Sequence, residues 1–202
     1  PAAPPLSDWA IFAAVKPKNV DKLAPAMTTM LSYNPGDGHI YSADAANNLY
    51  QWDAGLSSKL VHQFDSPVTG FTYVNEYKPA IVTCIGQMAP INSEKGKILL
   101  MGLDEKISNK APVLITDSLP RPVNTIAADF NKDGLLDYVT CGFGHDIGGL
   151  YLLQQQADHT FKKIIINDLP GGEQLITGDF NNDGWPDVIC LFAQADEGIR
   201  MF

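Results

Sequence analysis

The sequence predicts an all-β protein built from about four repeated units of four short strands, and three observations support this prediction. An acidic motif occurs twice, 50 residues apart. Short apolar or alternating runs, bounded by glycine and proline, recur along the rest of the chain with a period of about 40 to 55 residues. No convincing long amphipathic helix interrupts these runs. Four-stranded units at this spacing are typical of β-propeller blades rather than of a sandwich.

The clearest repeat aligns residues 125–139 (TIAADFNKDGLLDYV) with residues 175–189 (LITGDFNNDGWPDVI). Apolar and acidic positions coincide in the two copies. Further strands are predicted after the first copy at residues 149–153 and 161–166, separated by a polar turn. Each full repeat therefore contains four short strands.

Two earlier units have a similar spacing of short strands but lack the acidic motif. Their strands are predicted at residues 27–31, 39–42, 48–52 and 60–64, and at residues 68–74, 80–84, 97–101 and 112–116. The predicted organisation is an N-terminal segment, residues 1–25, followed by blades at about 26–66, 67–118, 123–168 and 172–202.

The sequence at the two ends of the chain does not determine whether the propeller closes into a ring. Residues 198–202 read as a third strand, so the last unit lacks its outermost strand, and residues 9–15 form an apolar segment ahead of the first unit. That segment is either a strand that closes a four-bladed ring, a strand of a missing blade, or a short helix packed on the first blade. We favour a fragment of a larger propeller, which should self-associate through its open edges and apolar faces.

The composition is that of a folded domain and disfavours two classes of partner. Of 202 residues, 45% are hydrophobic and 18% are charged, and the formal net charge is -9. An acidic chain has no basic field to attract phosphate backbones, and its apolar runs are too short for a membrane span. We therefore expect neither nucleic acid binding nor membrane insertion, and the acidic loops indicate a cation.

The acidic motifs have the residue types and spacing of a calcium-binding loop. Positions 1, 3, 5 and 9 hold Asp129, Asn131, Asp133 and Asp137 in the first motif, and Asp179, Asn181, Asp183 and Asp187 in the second. A glycine at position 6 allows a sharp turn, and hard oxygen donors suit Ca²⁺. The backbone carbonyls at position 7, of Leu135 and Trp185, are expected to complete two structural calcium sites.

These motifs allow two other interpretations. An EF-hand requires an acidic residue at position 12 and a helix on each side, but position 12 is Thr140 or Cys190 and the flanks are strand-like. The remaining alternative is an Asp- and Asn-rich turn without a metal. Its occurrence twice in the same phase favours the calcium interpretation.

The three cysteines, Cys84, Cys141 and Cys190, each lie in an apolar run and form no closely spaced pair. They are expected to be buried strand residues, because free cysteine behaves as a small hydrophobe.

The two acidic motifs resemble the FG-GAP (VCBS-type) repeats of integrin α-subunit propellers and their bacterial relatives. The resemblance is specific for residues 123–202 and loose for residues 26–122. It implies propeller blades with calcium in the loop between the first two strands. The name-giving Phe-Gly element survives only at Phe143, which favours a bacterial secreted relative in an extracellular, periplasmic or cell-surface location. Residues 34–37 and 75–78, at the corresponding places in the earlier units, offer too few ligands.

The expected function is a non-catalytic module that binds a protein or glycan at one propeller face. The sequence has no nucleophile elbow, no phosphate-binding glycine loop and no histidine pair at metal spacing. The alternatives are part of a carbohydrate-active enzyme such as a polysaccharide lyase, with His145 beside Asp146 as the best candidate base, and a lectin. A lectin would use Trp52 or Trp185, for which packing within or between blades is the competing interpretation.

Overall fold

The computed structural model describes residues 28–55, 57–74, 79–103, 111–194 and 197–202. Within these ranges the chain is all-β, as predicted. None of the described residues belongs to a helix that is long and apolar enough to cross a membrane. The segment at residues 1–25, including the candidate strand at 9–15, and the loop at residues 75–78 lie outside the described residues.

The described strands form four antiparallel sheets, in each of which hydrogen-bonded neighbours follow chain order. Blade 1 contains β1 (Thr28–Asn34), β2 (His39–Asp44), β3 (Asn48–Trp52) and β4 (Ser58–Gln63). Blade 2 contains β5 (Val68–Tyr73), β6 (Pro79–Cys84), β7 (Gly96–Gly102) and β8 (Val113–Leu119). Blade 3 contains β9 (Pro122–Ala128), β10 (Asp137–Gly142), β11 (Gly149–Gln155) and β12 (Phe161–Asn167). Blade 4 contains β13 (Gly172–Gly178), β14 (Asp187–Phe192) and β15 (Gly198–Met201).

The first strands of the blades, β1, β5, β9 and β13, pack against one another in chain order. The blades therefore stand side by side with their first strands innermost, which is propeller architecture. The four sheets are not closed into a ring. Each blade thus has a forward face, toward the next blade in the chain, and a backward face, toward the preceding one.

Side-chain hydroxyls link the inner strands of blades 1, 2 and 3. Those of Thr29 and Ser32 donate to the carbonyls of Val68 and Phe71, and those of Thr69 and Thr72 donate to the carbonyls of Pro122 and Thr125. Between blades 3 and 4 the direction of the hydrogen bond is reversed. Here the side chain of the earlier blade is the acceptor, because the side-chain oxygen of Asn124 accepts the N–H of Leu175 at 3.0 Å. These bonds fix the offset of one blade against the next.

The hydrophobic cores lie between blades. Between blades 1 and 2, the ring of Tyr41 stacks on that of Phe71 with the centroids 4.6 Å apart. A second cluster, which includes Ile81 and Tyr138, joins blades 2 and 3, and a third, which includes Val139 and Val188, joins blades 3 and 4. Since each cluster uses the forward face of one blade and the backward face of the next, every additional blade extends the core.

All three cysteines are fully buried in second strands, as predicted. Burial raises the pKa of the Cys84 thiol to about 12, so this thiol stays protonated at neutral pH. Blades 3 and 4 approach closely beside Cys141, because a Cβ added at Gly172 would lie 2.8 Å from the Cys141 Cβ. The glycine at the start of β13 is therefore required by packing.

Candidate functional site

The two acidic motifs form the loops between the first and second strands of blades 3 and 4, here called loop 3 (residues 129–136) and loop 4 (residues 179–186). Their backbones are alike: φ is positive at position 4 in both, Lys132 and Asn182, and is 85° at position 6 in both, Gly134 and Gly184. Left-handed backbone at position 6 explains the glycine that the motif contains.

We expect the substitution Gly134→Ala to lower the free energy of unfolding by about 1 kcal/mol, because alanine is disfavoured at positive φ. The backbone alone causes this cost, since an added Cβ would meet nothing within 4 Å. Gly134→Asn should cost less, because asparagine tolerates this conformation better. Urea denaturation measures both variants, and equal stability of Gly134→Ala and the parent chain would contradict the prediction.

Within loop 3 the predicted ligand side chains form hydrogen bonds with one another and with backbone N–H groups of the same loop. The Asp129 carboxylate accepts the N–H groups of Asp133 and Gly134, at 3.1 and 2.9 Å. The Asn131 amide donates to the Asp133 carboxylate at 2.7 Å, and that carboxylate also accepts the N–H of Leu135 at 2.8 Å. Loop 4 repeats the same set with Asp179, Asn181, Asp183, Gly184 and Trp185. The structure therefore brings positions 1, 3 and 5 together in each loop.

Position 9 differs between the two loops. Asp137 is 0% exposed, and its Oδ1 accepts the N–H of Gln155 at 2.8 Å. Its Oδ2 is buried and makes no hydrogen bond of good geometry, although the backbone N–H of Phe130 lies near enough to the carboxyl group to lower its pKa. In loop 4 the equivalent Asp187 uses its Oδ2 to accept the N–H of Phe180 at 2.8 Å. A buried carboxylate oxygen without a donor or a cation is costly, so loop 3 is the more incomplete of the two sites.

The surroundings of Asp137 disfavour its negative charge. Burial raises the pKa of Asp137, and the negative charges of Asp133 and Asp129 raise it further, whereas the backbone N–H groups of Gln155 and Phe130 lower it. The contact with Gln155 could not be predicted from the acidic motif. Gln155 lies on β11, and only the pairing of strands brings its N–H to Asp137.

The residues of both loops fit calcium by chemical type, and the unpartnered Asp137 oxygen is an observation of this structure that fits a cation. In the described parts of the chain, however, no three His, Cys, Asp or Glu side chains converge as a metal-binding group. The carboxylates are directed at loop amides instead. A bound Ca²⁺ would be held in loop 3 by Asp129, Asn131, Asp133, Asp137 and the Leu135 carbonyl, and in loop 4 by Asp179, Asn181, Asp183, Asp187 and the Trp185 carbonyl.

The corresponding loop of blade 1 closes with its own side chains. The Asp37 carboxylate accepts the hydroxyl of Tyr41 at 2.7 Å and the N–H of His39 at 2.9 Å. Burial and this carboxylate raise the pKa of Tyr41 well above its usual value, so the phenol stays a donor. This carboxylate is thus engaged by protein groups. That the loop offers too few calcium ligands stays a prediction.

The sequence of blades 3 and 4 matches a known family over these loops. Residues 129–190 match the family model of the FG-GAP-like repeat. Blades 3 and 4 contain an FG-GAP repeat. The match begins at the first residue of loop 3 and includes all of loop 4, so the FG-GAP repeat coincides with the region of the two acidic motifs.

Known structures support the same fold. Sqt1 of Saccharomyces cerevisiae is similar at 12% identity with a TM-score of 0.55, over 84% of this chain and 44% of that chain. Dihydro-heme d1 dehydrogenase NirN is similar at 12% identity with a TM-score of 0.53, over 88% of this chain and 37% of that chain. Both are propeller-type folds, and the chain spans less than half the length of either. No curated protein sequence matches the chain.

A cleft lies beside loop 3. Its volume is about 590 Å³, and the ends of β5, β9 and β13 line it together with Asp129, Gly134 and Leu135. Trp185, on loop 4, is 47% exposed. The Nζ of Lys132 lies 3.8 Å from the centroid of this ring, which joins loop 3 to loop 4. Trp52, the other candidate, is half-buried on blade 1 and donates from its indole N–H to Ser42.

His145 lies away from the FG-GAP loops. It is exposed in the connection between β10 and β11, which is at the opposite end of blade 3 from loop 3. The neighbouring Asp146 carboxylate accepts a hydrogen bond from the Asn92 amide at 3.1 Å. A base at His145 would therefore act on a different face of the propeller from the one with the acidic loops.

Proposed function

We propose that this chain is a calcium-binding, non-catalytic propeller module of an extracytoplasmic protein, and that it binds a protein or glycan partner at the end with the FG-GAP loops. The observation that supports calcium most directly is the buried Asp137 Oδ2 without a hydrogen-bond partner. A divalent cation in loop 3 would provide the missing partner and offset the mutual repulsion of the loop carboxylates.

The ion's role in this proposal is structural. Asp129 and Asp133 supply charge, and the side-chain oxygen of Asn131 supplies a neutral ligand. Asp137 connects the site to the sheet, because its other oxygen accepts the N–H of Gln155 on β11. Calcium would therefore hold loop 3 against two strands of blade 3 and fix the edge of the adjacent cleft.

The partner surface in this proposal is the same end of the propeller. The cleft beside loop 3 is lined mainly by apolar atoms of strand ends, and Trp185, on loop 4 at the same end of the propeller, exposes part of its aromatic ring. Both features suit a protein or sugar contact, and both depend on the conformation of the loops that calcium would order. An extracytoplasmic location agrees with calcium sites of modest affinity, which are filled only where calcium is abundant.

Isothermal titration calorimetry of the whole chain with Ca²⁺ tests the metal. Two bound ions per chain are expected, with one remaining after Asp133→Ala and one after Asp183→Ala. Asp158→Ala is the matched control, because Asp158 is an exposed acidic loop residue at the same end of blade 3 but outside both motifs. No heat of binding at calcium concentrations on the order of 1 mM would contradict the proposal.

A further inference from the structure

Two of the three cysteines meet at the interface between blades 3 and 4. Cys141 on β10 and Cys190 on β14 belong to the same buried cluster, and both are 0% exposed. A Cβ added at Gly172 would lie 3.6 Å from the Cys141 Sγ and 3.5 Å from the Cys190 Sγ. Both sulfur atoms therefore border the small space that the absent side chain of Gly172 leaves between the blades.

The 50-residue repeat explains why these two side chains point toward each other. Cys190 stands 50 residues after Thr140, so it is the repeat counterpart of Thr140 and not of Cys141. Thr140 faces backward, because its hydroxyl is 3.0 Å from that of Thr125, which lies 2.8 Å from the hydroxyl of Thr83 in blade 2. Side chains alternate between the two faces of a strand. Cys141 therefore faces forward from blade 3, and Cys190 faces backward from blade 4.

Each of the two thiols changes the acidity of the other. The hydrogen bond with Cys190, together with burial, raises the pKa of Cys141. The same hydrogen bond lowers the pKa of Cys190, burial opposes this shift, and the positive charge of Arg200 on the neighbouring strand lowers the pKa further. The carbonyl oxygens near the two sulfurs are distant, at 3.8 Å for Asn124 and 3.7 Å for Leu191. Cys190 is therefore the sulfur that ionises first and is the better nucleophile of the pair.

We propose that Cys141 and Cys190 are a disulfide-forming pair, which a small-molecule disulfide oxidises to a covalent link between blades 3 and 4. The Cys190 thiolate attacks one sulfur of the oxidant, whose S–S bond breaks and releases one thiolate, and a mixed disulfide forms. Cys141 then loses its proton and attacks the Cys190 sulfur, which expels the second thiolate. Two protein thiols are thereby oxidised, and the oxidant is reduced to two thiols that take up the two protons.

The link forms while blades 3 and 4 come together, because both sulfurs are covered once the interface is complete. Cys84 takes no part in it, since Cys84 lies in the core between blades 1 and 2, which contains neither of the other cysteines. All three cysteines are free thiols in this structure. An extracytoplasmic location, as proposed above, would supply disulfide oxidants, but the chemistry requires only the chain and the oxidant.

Refolding of the whole chain from urea in a mixture of reduced and oxidised glutathione tests the proposal. Mass spectrometry of a non-reducing peptide digest identifies which sulfurs are joined. Three thiols allow three pairings, and the link between Cys141 and Cys190 is expected in nearly every molecule. Cys84→Ser should form the same link, whereas Cys141→Ser and Cys190→Ser should form no link within the chain.

Urea denaturation provides the second measurement. The link should raise the midpoint by about 1 M relative to the same chain refolded with a reductant, because it constrains the unfolded chain. Cys141→Ser, treated in both ways, is the control and should show no shift. Incubation of the native chain with oxidised glutathione, at urea concentrations just below the midpoint, gives the same measurements without refolding. A folded parent chain whose thiols all stay free, a link that includes Cys84, or a link that does not raise the midpoint would overturn the proposal.

Discussion

If loops 3 and 4 bind calcium as proposed, we expect saturating calcium to raise the free energy of unfolding by about 2.7 kcal/mol per occupied loop at 100 times the dissociation constant. With both FG-GAP loops filled, the expected gain is about twice that value, which is a large fraction of the stability of a typical domain. The reason is linkage: the proposed ligands of loop 3 are held in one loop only in the folded chain, so the ion would bind the folded state and not the unfolded one. Differential scanning calorimetry with calcium and with EGTA measures the effect.

Asp137→Asn separates the ion's contribution from that of the carboxylate. Without calcium this variant should be as stable as the parent chain or more stable, because it removes a buried charge whose Oδ2 has no partner. With calcium it should lose the stabilisation due to loop 3 and keep that of loop 4. Asp158→Asn, in the neighbouring turn, should respond to calcium as the parent does. Identical melting of the parent chain in calcium and in EGTA is the result that excludes a structural ion.

Arg121→Ala should lower the free energy of unfolding by about 3 kcal/mol. Arg121 is 7% exposed, and its guanidinium donates to three backbone carbonyls, those of Phe143, Gln87 and Ala89. These carbonyls belong to two loops, in blades 2 and 3, at the end opposite the acidic loops. Removing the donor costs hydrogen bonds from a charged group and leaves carbonyls without partners, each worth about 1 to 3 kcal/mol. Chemical denaturation gives the difference directly.

Two further variants give this measurement its controls. Arg121→Lys keeps the charge but not the planar set of donors, so it should fall between Arg121→Ala and the parent chain. Lys162→Ala removes a cation from the exposed face of β12 and should change stability by no more than about 0.5 kcal/mol. A loss below about 1 kcal/mol in Arg121→Ala would show that the loops do not depend on this contact.

Features that depend on local pattern could be predicted from the sequence. The period of the repeat and the short alternating runs predicted the all-β blades, and the strand at residues 48–52 is observed with those bounds as β3 (Asn48–Trp52). The glycine at position 6 of each motif predicted a sharp turn, and its φ of 85° agrees. The apolar runs around Cys84 predicted a buried thiol. Each of these properties is set by residues within a few positions of one another.

Features that depend on contacts between distant segments were decided only by the tertiary structure. The sequence by itself determined the blades, the acidic loops and the residue types suited to calcium. It did not distinguish Asp137 from Asp187, because the partner of Asp137 is an N–H on β11, 18 residues away. It also did not predict that Trp185 is half exposed. Nor did it identify Arg121 as a contact between loops, because its partners lie in two different loops. Local sequence specifies backbone conformation and burial pattern, whereas the partner of a polar atom depends on which strands and blades pack side by side.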